Sequence, residues 1–132
     1  MQAKITPFLM FTGNAKEAMD FYISLFDGGK IESVTYYGPG DAGAEGTVRH
    51  AVFSLGGRSF ICIDSPPVHD FTFTPSLSLF VDCGSEEQLA DLFTKLSAGG
   101  RVMMPLDSYG FGKKFGWVAD RFGVSWQLNL PG

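Results

Sequence analysis

The feature that most limits what this chain can fold into is an internal repeat. Shifted by 71 residues, the first half overlies the second: Phe8 falls on Leu79, Met10 on Val81, Asn14 on Ser85, Phe21 on Leu92, Tyr22 on Phe93 and Leu25 on Leu96. The same shift brings Gly28-Gly29-Lys30-Ile31 onto Gly99-Gly100-Arg101-Val102. One offset therefore carries a strand, a helix and the next strand together. Each half reads as a strand, a helix and then three strands. A lone unit of that kind leaves one face of its sheet exposed, so two must cooperate. The expectation is an α+β fold of two tandem βαβββ modules, about 4–65 and about 76–130, making one domain over 1–132.

The first module opens with a strand at 4–11, where Pro7 removes one ladder donor and suits an edge. Asn14 with Glu17 three residues later is a capping-box pattern. Ala18, Phe21, Tyr22, Leu25 and Phe26 then recur at helical spacing, and Gly28-Gly29 closes the helix. A strand at Lys30–Tyr37 runs into a loop over 38–46 whose four glycines mark it as mobile. Thr47–Leu55 and Arg58–Asp64 flank Gly56-Gly57, a two-residue hairpin signal. A connector from Pro66 to Pro75 leads to the second module. That module reads as a strand at Ser76–Asp82, a helix capped by Ser85 with Leu89, Leu92, Phe93 and Leu96 on its apolar stripe, and a short strand at Arg101–Met104. A glycine-bearing loop at Leu106–Lys114 and a closing hairpin complete it. In that hairpin Asp120–Gly123 is the turn, with Asp120 as an Asx residue. Val124, Trp126, Leu128 and Leu130 alternate with Ser125, Gln127 and Asn129.

Composition excludes several classes of function. A net charge of −4 with scattered Lys and Arg gives no electrostatic footprint for nucleic acid. No apolar run reaches the roughly 18–20 residues a membrane span needs, and Met1–Phe11 lacks the features of a signal peptide. Cys62 and Cys83 form no CxxC pair and sit in predicted strands, which favours buried thiols in a reducing compartment and a cytoplasmic location.

Particular stretches resemble a known family. Gly13-Asn14-Ala15-Lys16-Glu17-Ala18 followed by Phe21-Tyr22, Arg49-His50-Ala51 with Gly56-Gly57, and the run from Phe115 to Gln127 together resemble the PhnB-like branch of the vicinal oxygen chelate superfamily. That branch is also labelled the 3-demethylubiquinone-9 3-methyltransferase-like domain. The superfamily includes glyoxalase I, extradiol dioxygenases and the bleomycin and fosfomycin resistance proteins. The resemblance implies a curved mixed sheet with helices on its convex side, a ligand in the concavity, and a homodimer. In the superfamily's metalloenzymes the concave side carries a divalent metal on His, Glu or Gln.

Carried onto this sequence, those ligand positions fall on Pro7, Ser54, Ser76 or Ser78, and Gln127. Proline has no donor and serine is a poor ligand for zinc, nickel or iron, so no metal and no other cofactor is expected. His50 shares a strand face with Val48, Val52 and Ser54, opposite Ala51, Phe53 and Leu55, which marks it as a cleft residue able to do acid–base work or to serve structurally. By the same alternation Leu77, Leu79 and Val81 face the helices, and Ser76, Ser78 and Phe80 face the cleft. His69 is expected to be exposed in the connector.

Four functions compete. The first is binding of a small molecule at Ser54, Ser78, Ser125 and Gln127 with apolar walls at Phe80, Trp117 and Val52. The second is a metal-independent isomerase or lyase with His50 as catalytic base. The third is a metalloenzyme with relocated ligands drawn from His50, Glu32, Glu45 and Gln127. The fourth, a methyltransferase, rests only on the branch's label. It lacks the glycine-rich strand-to-helix turn of a typical S-adenosylmethionine site, because the glycine pairs here come after helices.

Overall fold

The computed structural model describes residues 2–132. Its chain forms two compact units, one ending at Thr72 and one beginning at Phe73. Each carries a four-stranded mixed sheet with one helix on one face.

In the first unit β1 (Phe8–Phe11), α1 (Ala15–Leu25), β2 (Lys30–Tyr36), β3 (Val48–Leu55) and β4 (Arg58–Asp64) succeed one another. The sheet order is β1-β4-β3-β2, with β1 and β4 parallel and the other pairs antiparallel. The helix-facing side is the core: Leu9 pairs with Cys62, and Cys62 in turn with Ala51, all buried. Beside them Phe53 and Phe60 stack with centroids 5.3 Å apart. Gly56 and Gly57 take φ values of 54° and 80°, as a two-residue hairpin turn between right-twisted strands demands.

The second unit repeats this plan with β5 (Ser78–Asp82), α2 (Glu86–Ser97), β6 (Arg101–Asp107), β7 (Lys114–Ala119) and β8 (Ser125–Leu130). Its order, β5-β8-β7-β6, matches the first strand for strand. Leu89, Leu92 and Leu96 of α2 are buried, as are Val118, Trp126 and Leu128 on the sheet. The Ser85 hydroxyl accepts from the Gln88 amide at 3.1 Å, so α2 has the expected side-chain cap.

Several expectations need correction. Asn14 occupies the N-cap position of α1, but its side chain makes no cap bond. The buried Asp64 carboxylate serves instead, accepting from the amides of Gly13 at 2.8 Å, Ala15 at 3.0 Å and Val48 at 2.9 Å. The buried stripe of α1 is Ala15, Ala18, Met19 and Tyr22, while Phe21 and Leu25 lie half-buried at its margin. β6 runs on to Asp107 through Pro105, which an irregular edge strand tolerates because no partner waits for the missing N–H.

The first strand of each module is one residue out of step with the 71-residue repeat. Leu9 shares the helix face with Cys62, and Leu79 shares it with Trp126, so Leu9 rather than Phe8 is the counterpart of Leu79. The cause is one extra residue between the last inward strand residue and the helix cap, Val81 to Ser85 against Phe11 to Asn14. Leu77 does not face the helix. It precedes β5 and is 79% exposed. Ser76 likewise lies outside the strand, where its hydroxyl pairs with that of Thr74.

The glycine-bearing loop over 38–46 carries hydrogen bonds of its own. The Tyr37 amide donates to the Thr47 carbonyl, the Gly46 amide to the Tyr37 carbonyl and the Gly38 amide to the Asp41 carboxylate. A Cβ on Gly43 would run into the Tyr37 ring, whose hydroxyl donates to the Asp64 carbonyl.

Candidate functional site

On β8 every second side chain leaves the helix face, and the registers to β5 and β7 set those side chains into rows. Across β5, β8 and β7 the rows are Ser78–Ser125–Ala119, then Phe80–Gln127–Trp117, then Asp82–Asn129–Phe115. The intervening residues Trp126 and Leu128 point into the core. Five of the six ligand-binding residues inferred from sequence, Ser78, Phe80, Trp117, Ser125 and Gln127, thus meet on the open face of the second module.

They are also bonded to one another. The Trp117 indole N–H donates to Ser125 Oγ at 2.8 Å, Ser125 Oγ and Ser78 Oγ lie 2.6 Å apart, and Gln127 Nε2 donates to Ser78 Oγ at 3.2 Å. Ser125 is only 1% exposed, so its hydroxyl positions Trp117 and Ser78. Phe80, at 55% exposure, offers its ring to the open side.

The β6–β7 loop walls this face. Phe115 is buried under Tyr109 and Phe111, both edge-on, at centroid distances of 6.0 and 5.0 Å, with Phe80 at 6.4 Å. Tyr109 flanks a glycine loop and could be suspected of covering a ligand from sequence, whereas Phe111 and Phe115 were not singled out, although Phe115 lies two residues from Trp117 on the same strand face. Asn129 donates to the Asp82 carboxylate at 3.0 Å, and its own Oδ1 is buried beside Gly112, where a Cβ would stand 2.5 Å away.

The turn beneath the site is fixed by Asp120. One carboxylate oxygen accepts from the amides of Phe122 at 2.9 Å and Val124 at 3.0 Å, and the other accepts from the Trp126 indole at 2.9 Å. The group is buried among these donors, which is the geometry of an Asx turn.

The open face of the first module is chemically different. Its row Phe8–Ile61–Val52 is apolar where the second module has serines. Ser54 donates to Glu32 at 2.8 Å, so its hydroxyl proton is already engaged. His50 is exposed on β3, its carbonyl accepting from Thr35 Oγ1 at 3.4 Å, and no side chain among the described residues holds its ring. Val48 was expected on the same face as His50, but it is buried. The extra residue at Arg49, where pairing slips between Thr35–His50 and Tyr36–Val48, returns Val48 to the core side. His69 is exposed and stacks on Phe71 at 4.8 Å.

These residues do not fit a divalent metal. The first inferred position, Pro7, lies ahead of β1, and the open-face residue in its place is Phe8, whose ring has no donor atom. Ser54 is engaged by Glu32 and Ser78 by Ser125, which leaves Gln127 Oε1 as a single donor atom in the set. Among the described residues no three His, Cys, Asp or Glu side chains gather around a common point. At the start of α1 the Asp64 carboxylate already sits on the Ala15 amide and on that of Gly13 ahead of the helix, which sets a fixed negative charge where an anionic group of a cofactor would have to dock. Both cysteines are unbridged and buried. Burial, with the neighbouring Asp64 charge second, pushes the Cys62 thiol up to about 12, and burial also raises Cys83, so neither is a ready nucleophile. Among the described residues no helix is long and apolar enough to cross a membrane.

Two βαβββ units with matching strand orders define a protein of glyoxalase-like α+β fold. The chain belongs to the 3-demethylubiquinone-9 3-methyltransferase family, whose model matches residues 3–129. It is similar to the PhnB protein from Bacillus cereus, with 55% identity, 97% of this chain and 99% of that one covered, and a TM-score of 0.94. Protein PA1353 from Pseudomonas aeruginosa is 30% identical over 98% of both chains, with a TM-score of 0.84. A glyoxylase/bleomycin resistance protein/dioxygenase domain from Frankia shares the fold at 18% identity, with 100% of this chain and 94% of that one covered and a TM-score of 0.65.

Proposed function

We propose that this protein binds a small molecule on the open face of its second module, does so without a transition metal, and works as a cytoplasmic homodimer. The observation that carries the reading is the row Phe80–Gln127–Trp117. Two aromatic rings flank an amide across adjacent strands, and the half-buried Ser78 with the buried Ser125 holds the row from one side. Neighbouring strands lie about 4.8 Å apart, so the two aromatic side chains leave the sheet roughly 10 Å from each other, a span that suits a planar molecule of one or two fused rings. Aromatic walls with a few fixed polar groups are the usual make-up of a small-molecule site. The free, buried thiols support a reducing compartment. The family supports the dimer, for which light scattering should give twice the 14.3 kDa chain mass.

A metal-independent isomerase or lyase has weaker support. A general base is ordinarily oriented by a third group, and His50 has none among the described residues. The test of the binding reading is a thermal-shift screen of planar metabolites and antibiotics against the protein and its Trp117→Ala variant. A ligand at 100 times its Kd should add about 2.7 kcal/mol, a rise in Tm of roughly 5–10 °C. Loss of that rise in Trp117→Ala supports the site. A ligand that stabilises both proteins equally refutes it.

A further inference from the structure

From the charge at one end of the open face, we infer that the second module takes flat molecules bearing a positive charge, amines above all, with the Asp82 carboxylate as their counterion. The inference rests on the binding site proposed above and assigns the charge class of its ligand.

The polar group at the centre of the face does not choose between ligands. The Gln127 amide has an acceptor oxygen and a second N–H to offer, so it accommodates donors and acceptors alike. Charge does choose. Asp82 follows Phe80 by two residues on β5, so both side chains leave the same face of the strand. One Asp82 oxygen accepts from Asn129 Nδ2 at 3.0 Å, and the buried Asn129 is held between that carboxylate and Gly112. Asp82 itself is exposed, and among the described residues it forms no ion pair with Lys or Arg. Its second oxygen is therefore a bare negative charge at the edge of the face.

Neighbouring charges do not cancel it. Asp107 pairs with Phe115 at the far end of the same row, but it lies with Lys113 and Lys114 in the wall of one depression, where its charge is offset. Arg101 pairs with Ala119 at the opposite corner of the sheet. Counted in strand spacings and residues, it stands roughly 20 Å from Asp82, beyond the distance over which salt water lets it act. Next to the bare carboxylate is the Phe80 ring, 55% exposed and backed by Phe115 at 6.4 Å. The face of an aromatic ring is negative and attracts a cation. Carboxylate and ring thus act in the same direction: both favour an ammonium group, and both disfavour an anion.

Three probes of one shape test this: 2-(aminomethyl)naphthalene, 2-naphthalenemethanol and 2-naphthoate, which are cationic, neutral and anionic. Each is titrated into the full chain at low salt while the Trp117 indole and Gln127 side-chain amide resonances are monitored. We expect the amine to bind about 5- to 10-fold more tightly than the alcohol, with the carboxylate weakest. That ratio should narrow as salt rises to about 0.5 M, a check that needs no variant. Asp82→Asn keeps an oxygen for Asn129 while removing the charge, and should bring amine and alcohol to within about twofold of each other. Asp91→Asn removes the same charge from α2 and should leave the ratio as it was. If Asp91→Asn weakens the amine as much as Asp82→Asn does, the preference belongs to the net charge of the chain and the inference is overturned. Amine and alcohol binding equally to the unmodified protein, with the Trp117 resonance moving, would also overturn it and leave the site standing. If no probe moves the Trp117 resonance, the site itself is refuted.

Discussion

Replacing Ser125 by Ala removes one oxygen from the centre of the polar row, and with it two hydrogen bonds, to the Trp117 indole and to Ser78. A neutral hydrogen bond contributes about 0.5–1.5 kcal/mol net, and an orphaned donor costs about 1–3 kcal/mol. The Trp117 indole is half-buried, so water can reach part of it and the lower end applies. The sum is about 2–3 kcal/mol, or a fall of roughly 6–12 °C in Tm for a chain of this size. Urea titration gives the stability change. The two indole N–H resonances locate it, because the chain has two tryptophans and the other indole donates to Asp120 at 2.9 Å. In Ser125→Ala the Trp117 resonance should move upfield and exchange faster with solvent, while that of Trp126 stays put. A variant within about 0.5 kcal/mol of the parent, with both resonances unmoved, would refute the bonding pattern on which the row depends.

Other perturbations act through donors and packing elsewhere in the chain. Asp64→Asn turns a donor toward at least one of the three amides that the carboxylate now satisfies, and should cost about 3–5 kcal/mol in urea unfolding. A loss below about 1 kcal/mol would show that the cap lies elsewhere. Gly43→Ala forces a methyl into the Tyr37 ring, so the 38–46 loop should become protease-sensitive at a cost of about 1–3 kcal/mol. Cys62 should stay silent toward Ellman's reagent in the native protein at about pH 8 and react once the chain is unfolded. Its pKa is raised from 9.0 to about 12 on folding, so above pH 9 the unfolded chain holds fewer protons than the folded one. Its contribution to stability is therefore complete below pH 9 and declines as pH rises toward 12, which a urea series across that range would show.

The parts of this fold that could be read in the sequence are those fixed by neighbours. The closing hairpin needed only period-two alternation and a glycine able to take φ of 93° at Gly123. The Gly56-Gly57 hairpin and the Ser85 cap are local in the same way. The parts that escaped depend on residues far apart in the chain. Asp64 caps a helix that begins 49 residues earlier, and no local pattern announces it. The slip at Arg49 is a property of two paired strands, and so is the passage of β6 through Pro105. The one-residue offset between β1 and β5 was hidden because β1 is apolar on both faces, so either register of it looks hydrophobic.

The site shows the same division. That Ser125, Gln127 and Asn129 share a face was legible from alternation alone, but what that face does was not, because polarity on a strand is compatible with solvent, with a cleft or with a metal. Hydrogen-bond direction separates these readings. Solvent-facing serines would have no need of each other, and metal ligands would turn their lone pairs toward a common point. Here Ser78 and Gln127, two positions that the superfamily resemblance associates with metal ligation, are neutral and lie on paired strands. Neutral groups at that separation bond to each other, whereas two anionic ligands would repel until a cation joined them. With Ser78 and Ser125 so engaged, the chemistry left in the row Phe80–Gln127–Trp117 is carried by ring faces and by the oxygen and second N–H of the Gln127 amide. Such an arrangement is suited to hold a flat molecule by ring contact and by hydrogen bonds to the amide.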